Sequence, residues 1–238
     1  MEKIITCENL HSFAYVNDGI CTRPIRGIVL SFLGLGVPGM FSEDPSDGRY
    51  FADRGILYVV PYNNPWAWMN RQAVGYTDEI LDVLFQHYDL PADLPIVSTG
   101  GSMGGLSALV YTKYARRMPV ACVANCPVCD LPSHFTERPD LPRTLYSAFW
   151  NYGGTMDEAL RATSPLHLAD RMPDVEYTLF HCDADKSVNK EMHSDRFVAA
   201  MRGNHRITYI EIPGRGHCDL PPEEKERYLA AAADAILR

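Results

Sequence analysis

The sequence predicts an α/β fold in which a mostly parallel sheet of about eight strands is flanked by helices. Short apolar runs rich in β-branched residues, of which 27–33 and 55–61 are the clearest, alternate with longer segments whose apolar residues recur at helical spacing. Glycine-rich and polar loops follow several of these runs, as they do at the carboxyl edge of a parallel sheet. With 238 residues the chain is long enough for one such unit, and we expect residues 1–238 to form a single domain.

The elements are predicted in a regular order along the chain. Short strands are expected over 2–8 and 12–17, and buried strands over 27–33, 55–61, 94–98, 119–124, 176–181 and 206–212. Helices are expected over 71–88, 106–117 and 192–201, with a last helix that begins at Pro221 and Pro222. Segment 40–48 has turn residues and no helical period. Segment 130–172, rich in proline and aromatic residues, is interpreted as a small cap inserted over the edge of the sheet.

A glycine-rich turn follows the predicted strand at 94–98. The pentapeptide Gly100-Gly101-Ser102-Met103-Gly104 matches the G-x-S-x-G nucleophile elbow, and it lies between a strand and a helix, as this motif requires. Glycines allow the two elements to approach where a Cβ would collide, while the serine hydroxyl stands clear of the backbone. The alternative is a glycine-rich turn with an incidental serine. The context favours Ser102 as a nucleophile.

Two later loops contain the other groups of a hydrolytic triad. Asp183 and Asp185 follow the predicted strand at 176–181, and His217 lies in a glycine-flanked loop after 206–212. Histidine titrates near neutral pH, so it can take the serine proton and return it to a leaving group, while a carboxylate orients its ring. The chain order Ser, Asp, His is that of the α/β-hydrolase arrangement. On this ground alone either aspartate can be the acid.

Four segments together resemble the α/β-hydrolase superfamily, and most nearly its prolyl oligopeptidase-like and dienelactone hydrolase-like branch. They are the elbow, His181-Cys182-Asp183-Ala184-Asp185-Lys186-Ser187-Val188, Gly214-Arg215-Gly216-His217 and Thr163-Ser164-Pro165-Leu166-His167, and the resemblance covers roughly residues 25–238. The second segment is similar to the family pattern His-Gly-x-x-Asp-x-x-Val. That similarity implies Asp185 as the triad acid, with Asp183 in reserve, although Cys182 replaces the pattern's glycine.

The resemblance also implies where an oxyanion hole and a substrate pocket would lie. The backbone N–H of Met103 follows the nucleophile, and that of Leu35 occupies the position of the family's second donor. Aromatic residues in the loop after 55–61 and in the predicted cap are expected to line the pocket. These residues are Trp66, Trp68 and Trp150.

The resemblance implies a serine hydrolase, carboxylesterase-like, that cleaves a small or medium acyl ester through an acyl-enzyme intermediate. A small aminopeptidase or amidase with the same triad is the first alternative, and it would use an acidic anchor such as Glu137 or Asp140 for the substrate amine. The chain is too short for the β-propeller of true oligopeptidases, which favours the ester. The second alternative is a non-catalytic binding protein on the same fold, against which the complete triad argues.

Two further motifs are interpreted as structural. Segment 34–39 matches G-x-G-x-x-G, but the turns predicted after it do not offer the helix N-terminus that a dinucleotide needs. Cys126 and Cys129 form a C-x-x-C without a second ligand pair, and Asp130-Leu131-Pro132 is expected to break a helix there. We therefore expect two ordinary thiols and no dinucleotide cofactor.

Charge and composition limit the partners. His181, Asp183 and Asp185 lack a second ligand cluster, so no metal is expected. The net charge of −8 and the absence of a basic run argue against nucleic acid or an anionic membrane, and no apolar run is long enough to span a bilayer. Seven cysteines without framework spacing, together with a start that has no signal-peptide pattern, predict a cytoplasmic protein with reduced thiols. The expected partner is a small-molecule ester, and the oligomeric state does not follow from the sequence.

Overall fold

A seven-stranded sheet forms the centre of the computed structural model, which describes residues 4–37 and 39–238. The strand order is β1-β3-β2-β4-β5-β6-β7; β1 is antiparallel to β3, and all other pairs are parallel. The predicted α/β class is therefore confirmed. The strands are β1 Ala14–Val16, β2 Gly27–Phe32, β3 Ile56–Pro61, β4 Ile96–Gly101, β5 Ala121–Asn125, β6 Glu176–Cys182 and β7 Arg206–Ile212.

Helices cover both faces of the sheet. Successive residues of β2 and β3 belong alternately to two buried clusters, one on each face, because side chains alternate along a strand. One cluster includes residues of α2, α3 and α8, and the other includes residues of α1 and α9. The helices are α1 Ser46–Ala52, α2 Arg71–His87, α3 Met103–Tyr114, α4 Leu131–Glu137, α5 Leu141–Phe149, α6 Met156–Ala162, α7 Pro165–Leu168, α8 Arg196–Met201 and α9 Pro222–Leu237.

The first predicted strand is absent from the described residues, which reduces the expected eight strands to seven. Residues 2 and 3 of that prediction lie outside the described part of the chain, and in 4–8 a bend at residue 4 and a turn at 7 and 8 take the place of the strand. Asn9 explains the turns, because its side chain accepts from Thr6 N at 2.8 Å and donates to Ile4 O at 3.0 Å. A local side-chain bond of this kind competes with strand pairing.

Two helix starts also differ from prediction. Helix α1 begins at Ser46, inside the segment predicted as turns, and it is held by the burial of Phe51 and Ala52 rather than by its own periodicity. Pro132 does not break a helix; it lies in the first turn of α4, where a missing N–H costs nothing. Asp130 caps that helix, since its side chain accepts from Ser133 N at 3.2 Å.

The segment between β5 and β6 contains α4 to α7 and the short 3-10 turn Ala169–Arg171. It corresponds to the predicted insertion 130–172, and Arg138 from it reaches the cavity described below. Its role as a cap stays a prediction. None of the helices in the described ranges has the length and apolar content needed to cross a bilayer.

Candidate active site

A sharp turn joins β4 to α3 at Ser102. This serine has φ 60° and ψ −125°, a backbone conformation that costs on the order of 1–3 kcal/mol for a residue with a Cβ. A Cβ on Gly104 would overlap the carbonyl oxygen of Phe32, and one on Gly100 would overlap the carbonyl oxygen of Gly104. Because strand and helix meet this closely, only glycine fits at either position.

The turn is held in place by the end of β5 and the chain that follows it. Ser102 N donates to the carbonyl oxygen of Asn125 at 2.9 Å, and Val128 N donates to the carbonyl oxygen of Ser102 at 3.3 Å. These bonds, together with the helix bond from Leu106 N at 3.1 Å, offset the backbone strain. The serine is therefore presented on a rigid element at the carboxyl edge of the sheet.

His217 is hydrogen-bonded to a buried carboxylate. Its Nδ1 lies 2.6 Å from Asp185 Oδ2, while Asp185 Oδ1 accepts from the backbone N–H groups of Ser187 at 2.8 Å and Val188 at 3.0 Å. Burial opposes ionisation of Asp185, but hydrogen bonds from His181, His217 and the two amides outweigh it and hold the pKa of this carboxyl well below its usual range. The carboxylate stays charged near neutral pH and keeps the ring proton of His217 on Nδ1.

The structure separates the two aspartates that the loop after β6 offered. Asp183 Oδ1 accepts from Gly214 N at 2.6 Å, which ties that loop to the loop after β7. Asp183 thus supports the position of the histidine loop, whereas Asp185 contacts the histidine itself. The contact is the one expected of Asp185, and its role as the catalytic acid stays a prediction.

Ser102 and His217 line one cavity of about 570 Å³, together with Gly34 and Leu35 from the loop after β2. A Cβ on Gly34 would lie 3.8 Å from the Ser102 Cβ, so this loop passes directly beside the serine. Within the described residues no hydrogen bond joins Ser102 Oγ to His217 Nε2, and such contacts are often long without substrate.

The two predicted oxyanion donors are near this cavity. Leu35 lines it, and Met103 is the first residue of α3, where a helix N–H has no intrahelical partner. Among the described residues neither amide donates to another backbone carbonyl. Both are available to an oxygen bound at Ser102, and their assignment as an oxyanion hole stays a prediction.

The three tryptophans do not lie where the sequence suggested. Trp68 is 1% exposed, and its Nε1 donates to Thr144 Oγ1 at 3.0 Å, so it is a core residue between α4 and α5. Trp66 and Trp150 line a separate surface groove. None of the three lies in the lining of the Ser102 cavity: Trp66 lies in a groove with residues of α2, and Trp150 directly follows α5. Their predicted pocket role does not match these positions.

Charged residues that sequence reasoning missed lie at the cavity instead. Arg138, Lys225 and Asp47 contribute to its lining; Lys225 Nζ lies 2.7 Å from Asp47, and Arg138 is paired with Asp140 at 2.6 Å. Asn125 also lines it and has a buried Oδ1 without a partner among the described residues. Asn125 could have been predicted from its place at the end of β5, beside the elbow. The charged residues could not, because they come from segments that are distant in the sequence.

Glu137, one of the two acids considered as an amine anchor, is occupied elsewhere. It lies 2.5 Å from His134 Nδ1 and 3.2 Å from His193 Nε2. Burial opposes its ionisation, but the hydrogen bonds from the two histidines lower its pKa to about 2. This cluster connects α4 to the π-helical turn Glu191–Asp195 that leads into α8.

The glycine segment 34–39 and the residues His181, Asp183 and Asp185 are the candidate dinucleotide and metal sites of the sequence. Pro38 of the glycine segment lies outside the described residues, and the next helix begins only at Ser46, so no helix N-terminus follows the glycines directly. Of the predicted metal alternative, His181 and Asp185 have ligand atoms close to Cys126, whereas Asp183 is not part of that group. Both ring nitrogens of His181 are hydrogen-bonded within the chain. The expectation that the protein uses no cofactor stays a prediction.

The fold belongs to a known structural class, the α/β-hydrolase fold, which solved structures identify. A puromycin-hydrolyzing peptidase from Mycobacterium tuberculosis matches with a TM-score of 0.67 and 21% identity, over 90% of this chain and 34% of that chain. Esterase 2 from Thermogutta terrifontis matches at 0.67 and 20%, over 94% and 88%. S-formylglutathione hydrolase from Agrobacterium tumefaciens matches at 0.68 and 18%, over 94% and 86%.

At these identities the comparisons show the fold alone. No protein-family model and no curated protein matches the sequence. The chain spans about a third of the length of the peptidase (34%) and most of the length of the two smaller enzymes (88% and 86%). The predicted α/β-hydrolase fold is confirmed, with one strand fewer than expected.

Proposed function

We propose that the protein is a serine hydrolase that cleaves small or medium acyl esters through a covalent acyl-enzyme. The observation that carries the proposal is the 2.6 Å bond between His217 Nδ1 and Asp185, beside a cavity that also contains Ser102 at the start of α3. The esterase and hydrolase activities named for the structural neighbours support the same class of reaction.

The proposed roles follow from the protonation states. Asp185 keeps the proton on Nδ1, so Nε2 of His217 has a lone pair that accepts the Ser102 proton as the hydroxyl attacks the ester carbonyl. The histidine then returns this proton to the leaving alcohol, and water repeats the two steps on the acyl-enzyme. The N–H groups of Met103 and Leu35 stabilise the oxyanion, at about 3–4 kcal/mol per donor.

The charges at the cavity favour an ester over an aminoacyl amide. An aminopeptidase needs a carboxylate for the substrate amine, but Glu137 and Asp140 already have histidine or arginine partners, and Asp47 is paired with Lys225. The lining itself contains two cations, Arg138 and Lys225, and one carboxylate, Asp47, so the charge at the cavity is positive in balance. The proposed substrate is therefore an ester that is neutral or carries a carboxylate away from the scissile bond.

Labelling with a fluorophosphonate, read by intact mass, tests this proposal. Wild type should gain one adduct, and Ser102→Ala should gain none while it keeps the wild-type circular dichroism. Ser187→Ala is the matched control, since Ser187 also lines the cavity but lies outside the elbow, and it should still be labelled. An adduct that persists in Ser102→Ala would refute the assignment. If the adduct is lost in Ser102→Ala, a panel of acyl esters and aminoacyl amides separates the two substrate classes.

A further inference from the structure

Two thiols lie beside the proposed base and have no part in the proposed reaction. Cys126 directly follows β5 and is buried, while Cys218 directly follows His217 and lines the Ser102 cavity. Both Sγ atoms and a ring nitrogen of His217 lie within 4.8 Å of one another. His217 Nε2 is 3.8 Å from the Sγ of Cys218. The cluster therefore consists of two sulfurs and one imidazole nitrogen around one point.

The backbone holds both thiols in these positions. Cys126 Sγ accepts from the N–H groups of Cys182 and Cys218, each at 3.4 Å. Cys218 Sγ lies 3.6 Å from the carbonyl oxygen of Asn125, to which it donates. A Cβ on Gly101 would come within 3.2 Å of this sulfur, so the glycine of the elbow leaves room for it. Because folding itself orders the cluster, a ligand that binds there has little ordering cost left to overcome.

The spacing suits a tetrahedral thiophilic cation. With Zn–S near 2.3 Å and Zn–N near 2.0 Å, neighbouring ligand atoms in a tetrahedral zinc site are about 3.5–3.8 Å apart. The observed 3.8 Å between Nε2 and Sγ already matches, and the other atoms need to close by about 1 Å at most to reach that range. The Asp185 carboxylate on Nδ1 is also the partner that metal-bound histidines commonly have.

Two other clusters of ligand-type residues in the described chain each contain a histidine nitrogen that is not free to bind a metal. In one, Nε2 of His181 lies 3.2 Å from the carbonyl oxygen of Val188, which can only accept, so this nitrogen carries the proton and has no lone pair for a metal. In the other, the Nδ1 of His193 accepts from the amides of Cys129 and Asp130, each at 3.1 Å, so its Nε2 carries the proton and has no lone pair for a metal. These clusters are Cys126, His181 and Asp185, and His134, Glu137 and His193.

We propose that Cys126, His217 and Cys218 form a binding site for a thiophilic divalent cation of the zinc type, which enters through the Ser102 cavity. Each thiol releases its proton to solvent as its sulfur bonds to the metal, and the fourth position faces the cavity. Occupancy takes the lone pair of Nε2, so the cation is a reversible inhibitor; this second statement rests on the proposed hydrolase function. The site links the activity of the protein to the supply of free zinc.

Cobalt binding tests the site without any use of activity. Titration of the reduced protein with Co²⁺ should give a thiolate-to-cobalt charge-transfer band in the near ultraviolet that saturates at one equivalent. The band should be lost in Cys218→Ser and retained in Cys129→Ser, the matched control from the same C-x-x-C as Cys126. Ser102→Ala keeps all three ligands and should bind as wild type does. No band, or a band lost in Cys129→Ser and kept in Cys218→Ser, would overturn the proposal.

Zinc inhibition of ester hydrolysis tests the consequence. Each rate is compared with the zinc-free rate of the same variant, so that a change in basal turnover does not enter. Wild type should be inhibited and then restored by EDTA, and Cys218→Ser should need at least about tenfold more zinc. Cobalt bound without any zinc inhibition would overturn the inhibitory role alone. A protein that binds cobalt but hydrolyses no ester would instead refute the proposed function and leave the metal site standing.

Discussion

Replacement of Asp185 by asparagine is the most informative single change in the site. The Oδ1 of Asp185 accepts from the N–H groups of Ser187 and Val188, at 2.8 and 3.0 Å. In Asp185→Asn these two donors hold the amide oxygen, so the NH₂ group faces His217 Nδ1 and donates to it. The ring proton is then driven to Nε2, which can no longer accept the proton of Ser102.

The expected loss in kcat is about 10⁴-fold, because the wrong tautomer removes general-base catalysis while the geometry is retained. This corresponds to about 5 kcal/mol of transition-state stabilisation. KM should change little, since no substrate contact is removed. Ester hydrolysis under steady-state conditions measures both values, and thermal unfolding checks that the variant is folded.

Asp183→Asn is the matched control for this prediction. Its Oδ1 accepts from Gly214 N at 2.6 Å, and an asparagine oxygen can accept the same bond. We expect kcat within about tenfold of wild type. Equal losses in the two variants, or a larger loss for Asp183→Asn, would refute the assignment of the acid and the tautomer argument with it.

Three further predictions concern the elbow, the acid stability and the cavity charge. Gly104→Ala places a Cβ against the carbonyl oxygen of Phe32, and urea unfolding should show a loss of more than about 3 kcal/mol; a loss under 1 kcal/mol would contradict the close approach of strand and helix. Because the pKa of Glu137 is lowered to about 2 from 4.5, its carboxylate stabilises the fold above pH 4.5, and this contribution is lost as the pH falls toward 2. Wild type should be about 1–2 kcal/mol more stable than Glu137→Gln at pH 6, once solvent screening is allowed for. This difference in the free energy of unfolding should shrink steadily below pH 4.5. A difference that does not depend on pH would contradict the lowered pKa. Arg138→Gln should lower kcat/KM for a carboxylate-bearing ester about 3–10-fold and leave a neutral ester of equal size nearly unchanged, and equal effects on both would exclude a charge contact.

The fold class and the strand–turn–helix at Ser102 could be predicted because they depend on local patterns. Strands β2 to β5 are almost wholly buried, so their apolar runs stand out in the sequence. The elbow could be predicted equally well, because its glycines are required by close backbone contacts within the turn itself. The helix at Ser46 was not visible, because burial of Phe51 overrides a weak local preference.

The lining of the cavity could not be predicted for a different physical reason. Trp68 looked like a pocket residue beside the sheet edge, yet contact with Thr144 makes it part of the core. Arg138, Lys225 and Asp47 are far apart in the chain and meet only through the packing of α1, α4 and α9 around the cavity. No spacing rule relates such residues, because their distances depend on how whole helices lie against the sheet.

The sequence by itself determined the α/β class, the strand–turn–helix at Ser102 and the loops that carry Asp185 and His217, since each depends on the order of residues along one or two elements. The family pattern implied Asp185, and the tertiary structure places Asp185 rather than Asp183 against His217, because both aspartates lie in the same loop and its folded path separates them. Tertiary structure alone decided that Cys126 and Cys218, 92 residues apart, lie beside the same imidazole. Contacts between strand ends follow from the lateral order of a sheet, which local sequence does not encode.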